Sequence, residues 1–321
     1  ETLMEATRGT NLTITTRHLL LGLFAVPGRP GVALLQEMKA NPDALRAYKA
    51  PSVERSGDHQ EQVVTGNPFA LSPIFLGILA AAFATGWAAY AEIIESGFFV
   101  FLFVLCGWLV SLAVHEFGHA IVAYYAGDRS VAKKGYLTMN PLKYTHPVLS
   151  IALPMLWIII GGIGLPGGAV YIDTRSIKKE RSFTYISAAG PLGTLAFAIL
   201  LAVIFLFVEI FVPWVPYEHQ QLWGGLGLLF FFQITSLVIN LLPMPGLDGF
   251  GIIEHFLPPQ TRATLRSVSN LSFLLIFFLF MQDTPIRDAF WSFIFRIIAF
   301  FPIDPGFVGV GYQLFRFWEN F

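Results

Sequence analysis

Three residues able to do chemistry stand within five positions of one another in a stretch that is otherwise hydrocarbon. His115, Glu116 and His119 fall inside FFVFLFVLCGWLVSLAVHEFGHAIVAYYA, residues 98 to 126, which carry no other charge and are long enough to cross a bilayer. An ionisable group at that depth is costly unless it is paired, hydrated or metal-bound, so it marks a functional site. On a helix, residues four apart share a face. His115 and His119 can therefore offer imidazole nitrogens to one metal ion, with Glu116 beside the water that such an ion would hold. The His-Glu-x-x-His spacing is the pattern of zinc-dependent hydrolysis. The competing reading, two packing histidines and a stray glutamate, requires a separate buried partner for each group.

Two histidines leave a catalytic zinc ion one protein ligand short, because such sites use three and keep a fourth position open. The candidate for the third is Asp248, in NLLPMPGLDG at residues 240 to 249. Pro243 and Pro245 break the preceding helix, and Gly246 and Gly249 let the backbone turn the carboxylate inward. Asp248 also reads as the N-cap of a helix beginning in DGFGIIEHF, and capping and ligation are compatible. Of the other histidines, His59, His146, His219 and His255 read as solvated or capping.

The elements that must carry these residues are set by composition. The chain has 321 residues, 55% hydrophobic and 13% charged, which defines an all-α polytopic membrane protein whose core is lipid plus packed helices. A net charge of -1 argues against a polyanionic partner, and nucleic acid is not expected. The single cysteine, Cys106, excludes an internal disulfide and fits a bacterial-type cell membrane. Spans are expected at residues 73 to 92, 98 to 126, 184 to 212 and 222 to 242, with a short fifth at 267 to 282. Residues 285 to 301 read as interfacial or tilted, and 302 to 321 as an aromatic, surface-associated tail.

The polar segments give the orientation. Residues 128 to 146 hold Arg129, Lys133, Lys134 and Lys143 against Asp128 alone, and residues 171 to 183 repeat the bias with Arg175, Lys178, Lys179 and Arg181. Both belong on the cytosolic side, which requires the Pro- and Gly-interrupted apolar run between them to be re-entrant or broken. That threading puts 17 of the 20 Lys and Arg residues on one side, together with the active site and the N-terminal module. The run ends in Gly167, Gly168, Ala169, Val170 and Tyr171, β-prone after the glycines and able to present an unpaired strand edge. Residues 1 to 50 read as a small helical module, 51 to 72 as a linker, and 73 to 301 as the transmembrane domain that carries the zinc motif.

His115-Glu116-Phe117-Gly118-His119, Gly190-Pro191-Leu192 and the Asn240 to Gly249 segment resemble, in order, the signature elements of the site-2 protease family of intramembrane zinc metalloproteases. The resemblance covers residues 73 to 282. It implies a single Zn2+ held by His115, His119 and Asp248, Glu116 as general base and acid, and Asn240 near the substrate backbone or oxyanion. It also implies a transmembrane protein substrate, with residues 167 to 172 as the edge that holds it. The chain departs from the family in having no PDZ-like domain after the zinc helix and no CBS-like pair after the last span. Residues 2 to 48, with LLLGL at 19 to 23, resemble one repeat of the Clp N-terminal domain, which implies a cytosolic docking module for a protein partner. Two other readings compete: a membrane zinc protease of the CAAX-processing type, with a downstream Glu as third ligand, and a non-catalytic scaffold that binds membrane helices.

Overall fold

A computed structural model describes residues 67–94, 97–144, 170–269 and 283–320, all within one compact unit spanning 61–321. The N-terminal module, most of the linker, most of the interrupted apolar run and most of the short fifth span lie outside the described residues. So do Gly167, Gly168 and Ala169.

Four described helices are long and apolar enough to cross a membrane: α1 (Pro73–Tyr90), α2 (Phe98–Ala126), α5 (Arg181–Phe211) and α7 (Gln220–Asn240). Short elements link them. After α2 come α3 (Ser130–Lys133), a 3-10 turn (Tyr136–Thr138) and α4 (Pro141–Tyr144); α6 (Val215–Glu218) lies between α5 and α7. Beyond α7 follow α8 (Asp248–Ile253), α9 (Pro259–Ser267), α10 (Pro285–Ile298) and α11 (Pro305–Phe315). Among the described residues there is no β-strand, so the all-α reading holds.

The ends are set by local chemistry. Ser72 caps α1 by accepting the Phe75 N–H, with Pro73 at the first helical position, where a missing N–H costs nothing. The zinc-motif helix α2 stops at Gly127, whose φ of 125° only glycine adopts freely.

Burial separates the four spans. In α7, 67% of the membrane-length window is buried inside the protein, against 28% in α1, so α7 runs through the interior and α1 lies at the lipid-facing edge. The principal apolar cluster joins α2, α5, α7 and α10 through Trp108, Phe205, Phe230, Ile234, Ile294 and Ile298. The α2 and α5 backbones approach closely, because a β-carbon on Gly118 would overlap the Ala189 carbonyl oxygen. Small residues at such crossings replace the hydrophobic drive that lipid cannot supply.

The expectation of a surface-associated tail is corrected. Helix α11 packs along α7 with Phe307, Val308 and Phe315 buried, and Gly311 lies so close to Gly224 that a β-carbon would overlap the Gly224 carbonyl oxygen. Its acid, Asp304, is an N-cap that accepts the Gly306 N–H at 2.8 Å. Helix α10, with 14 residues, rises about 21 Å, short of a hydrocarbon core of about 30 Å.

Candidate metal centre

His115 and His119 lie on one face of α2, and Asp248 is brought to them from the first turn of α8. Nε2 of His115 and Nε2 of His119 are 3.1 Å apart; the Asp248 carboxylate places Oδ2 3.2 Å from the first and Oδ1 3.3 Å from the second. One donor atom from each residue falls within 4.8 Å of the others. A tetrahedral zinc with bonds of about 2.0 Å sets its ligand atoms about 3.3 Å apart, so the three distances match the edges of such a site.

The outward-facing nitrogens confirm which atoms are free. His119 Nδ1 is 2.7 Å from the Ile186 carbonyl oxygen, which can only accept, so Nδ1 carries the proton and Nε2 presents a lone pair. His115 Nδ1 lies 2.9 Å from Thr194 Oγ1, which takes the same part for the second imidazole. Orientation of each ring through its far nitrogen is what a metal-binding histidine needs. Space is provided by Gly190 of α5. A β-carbon there would overlap Nε2 of His119 and stand 2.7 Å from Nε2 of His115.

Asp248 is not the N-cap. Leu247 holds that position without a side-chain bond, and the Asp248 carboxylate points to the imidazoles instead. Its two carboxylate oxygens face one Nε2 each, which places Asp248 to serve as the anionic donor of the set. The chain reaches this place because α7 ends at Asn240 and the residues to 247 turn, with Gly246 at a φ of 93° and Gly249 packed onto the Leu241 and Leu242 carbonyls.

Glu116 is buried next to the cluster and accepts the Val170 N–H at 3.0 Å. Val170 begins an irregular strap, residues 170 to 173, that follows the interrupted apolar run. The Tyr171 carbonyl accepts a hydrogen bond from Lys134 Nζ at 2.9 Å, and its ring is exposed. Asn240 is buried at the end of α7, with Nδ2 3.4 Å from Ser236 Oγ of its own helix. The other described histidines are engaged elsewhere: His255 Nδ1 with Thr184 Oγ1 at 2.7 Å, and His219 Nδ1 with the Tyr90 carbonyl at 2.9 Å. Glu254, the carboxylate that a CAAX-type arrangement would recruit, pairs with Arg266.

The sequence did not single out Thr194, the Ile186 carbonyl or the Val170 N–H. It marked Gly190 only as part of the Gly190-Pro191-Leu192 element of the family resemblance. Thr194 lies four residues after Gly190, one turn along the same helix, and that spacing is the one signal that pointed to it.

Two histidines and a carboxylate converging within a bundle of membrane-length helices define an intramembrane metallohydrolase. Comparison with known proteins places it further. The chain is 43% identical over 252 residues to a protein of Mycolicibacterium smegmatis named as the zinc metalloprotease Rip2, covering 77% of this chain and 94% of that protein. Rip2 of Mycobacterium tuberculosis H37Rv is 42% identical over 254 residues with the same coverage, and YwhC of Bacillus subtilis, named as a zinc metalloprotease, is 35% identical over 181 residues, 54% of this chain and 77% of that one. The chain belongs to the site-2 protease family of intramembrane zinc metalloproteases. It is an integral membrane protein with zinc as its metal, acting in the bilayer on membrane protein substrates. No family model and no solved structure matches it.

Proposed function

We propose that the chain is a zinc metalloendopeptidase that hydrolyses peptide bonds in or near transmembrane segments of other membrane proteins, with its active site and residues 1 to 50 towards the cytosol. The observation that carries this reading is the convergence of both Nε2 atoms on the Asp248 carboxylate while both Nδ1 atoms bond away from it. Zinc held by His115, His119 and Asp248 supplies Lewis-acid chemistry, lowering the pKa of water from about 15.7 towards about 7 and polarising a carbonyl. Glu116 takes the proton of the attacking water and returns it to the leaving amine. Asn240, whose bond to Ser236 is long, is free to offer its amide to the substrate backbone or the developing oxyanion.

A substrate in lipid brings its own demand. Its carbonyls are locked in helical hydrogen bonds, and exposing one in hydrocarbon costs several kcal/mol, so the segment must unwind where replacement bonds exist. The sequence-marked segment 167 to 171 is the one we read as offering backbone groups for that exchange, and its described residue Val170 lies against Glu116 through its N–H. Substrates with Gly, Pro or Asn near the cut are preferred because they unwind at least cost. The basic segments around α3 and the strap support the cytosolic orientation, and the Clp-type resemblance of residues 2 to 48 supports a protein partner for the N-terminal module.

The test is co-expression with candidate single-span membrane proteins. Glu116→Gln keeps one zinc per chain and loses cleavage by about two to four orders of magnitude; cleavage retained in that variant overturns the base assignment. Asp248→Ala loses zinc, and zinc retained at full stoichiometry overturns the ligand set.

A further inference from the structure

Asp128 stands just beyond the end of α2, fully buried, and among the described residues no lysine or arginine pairs with it. A carboxylate buried at the negative end of a 29-residue helix is an unfavourable placement unless its oxygens are used. Both are used, and on different elements. Oδ1 accepts the Ser130 N–H at 2.8 Å, closing the turn into α3, while Oδ2 accepts the Asp173 N–H at 2.7 Å, from the strap 45 residues away in sequence. Asparagine caps a turn as well as aspartate does, so the first bond alone does not call for a charge. The second bond does, because only a carboxylate accepts on both sides.

The surroundings repeat the attachment. Gly127, at the end of α2, lies so close to the 3-10 turn that follows the strap (Thr174–Ser176) that a β-carbon would be 2.8 Å from the Ser176 carbonyl oxygen. Lys134, just after α3, holds the Tyr171 carbonyl. Three residues before Asp173, Val170 delivers its N–H to Glu116. The strap is thus fixed at one end to the corner that closes the zinc helix and at the other to the buried carboxylate beside the paired histidines.

We infer that Asp128 is a positioning residue of the protease: by bridging the α2–α3 corner to Asp173, it sets residues 170 to 173 in place beside Glu116, ordered before the substrate arrives. This rests on the proposal that the strap lies along the substrate's path. Ordering that segment in advance spares the enzyme its ordering cost when substrate binds. An ordered strap contributes equally to the bound substrate and the transition state, so its release raises KM and leaves kcat nearly unchanged. Damage that merely lowers the folded fraction does the reverse, reducing apparent kcat and sparing KM.

The experiment is a double-mutant cycle at the two ends of the bond. Asp128→Asn leaves one oxygen for two N–H groups. Asp173→Pro removes the donor, and the native φ of -78° at residue 173 suits the proline ring. Because Asp173 also accepts from Arg175 N–H and Ser176 Oγ through its side chain, Asp173→Ala is the reference, keeping the N–H and losing those bonds. Relative to that reference, Asp128→Asn and Asp173→Pro each raise KM about tenfold or more, the scale of a hydrogen bond to a charged group, and the double variant is no worse than either single. In the zinc-free, full-length protein, hydrogen exchange at residues 170 to 172 rises in both, with α2 unaffected. Unchanged exchange, a fall confined to kcat, or effects that multiply in the double variant overturn the inference. Faster exchange in the variants of a chain that cleaves nothing upholds the tether and rejects the proteolytic reading instead.

Discussion

Gly190 of α5 and His119 of α2 are in contact across the helix crossing with no room for a methyl group between backbone and imidazole. The glycine defines the floor of the metal centre. Gly190→Ala forces either the ring or the helix to move, and displacement of about 1 Å is enough to break a tetrahedral ligand set. The expected outcome is loss of at least nine-tenths of bound zinc, measured by metal analysis of the purified protein. Gly77→Ala, on α1 with nothing within 4 Å of the added carbon, is the matched control and retains its metal.

Thr194 tests the other side of the same crossing. Its hydroxyl is the only described partner of His115 Nδ1, and it is itself buried. Thr194→Val keeps the shape and removes the acceptor, leaving a buried N–H unpaired and the tautomer unfixed. Zinc affinity falls about 10- to 100-fold, the usual effect of losing a bond behind a ligand, whereas Thr194→Ser stays within a few-fold of the parent. Competition against a chromophoric chelator reads both.

The contrast between these residues and the histidines explains what the sequence carried. His115, Glu116 and His119 are legible because their spacing, helical face and apolar setting are all local. Asp248 is legible because Pro243, Pro245, Gly246 and Gly249 announce a turn at the end of a span. Thr194 and Gly190 act only through the angle at which α5 crosses α2, a pairwise property no single stretch encodes. The C-terminal segment failed for a similar reason. Its aromatics and acids look like an interfacial tail, yet Gly311 meets Gly224 across 87 positions, and Asp304 is spent on a cap. Asp128 read only as a minority charge in a basic loop, because its partner Asp173 lies beyond the whole interrupted run.

Metal removal gives a third prediction. Zinc binds the folded chain and not the unfolded one, so at about 1,000 times the dissociation constant it adds about 4 kcal/mol of stability. The helices themselves are held by apolar clusters that do not include the ligands. A chelator is therefore expected to lower the unfolding temperature in detergent while helical content at low temperature is retained. Added zinc restores the shift and magnesium does not, since two imidazoles suit zinc and magnesium demands oxygen ligands. In Asp248→Asn the zinc-dependent shift shrinks. Complete loss of helix on chelation would mean that the metal, not the apolar packing, holds the bundle together.

The last prediction concerns the C-terminal helix. At Gly311 an added carbon overlaps the Gly224 carbonyl and comes within 2.9 Å of Leu228 Cβ, so the obstruction is backbone that cannot swing aside. Overpacking of a core ordinarily costs about 1–3 kcal/mol, and a backbone clash between two helices falls at the upper end or beyond. Gly309, two residues earlier in α11, has nothing within 4 Å, and alanine there gains up to about 1 kcal/mol of helix propensity. Thermal unfolding followed by the helical signal should thus place Gly311→Ala well below the parent and Gly309→Ala level with it or above. A tail that merely rested on the membrane surface would show no such difference between two glycines of one helix; equal behaviour of the pair would detach α11 from α7.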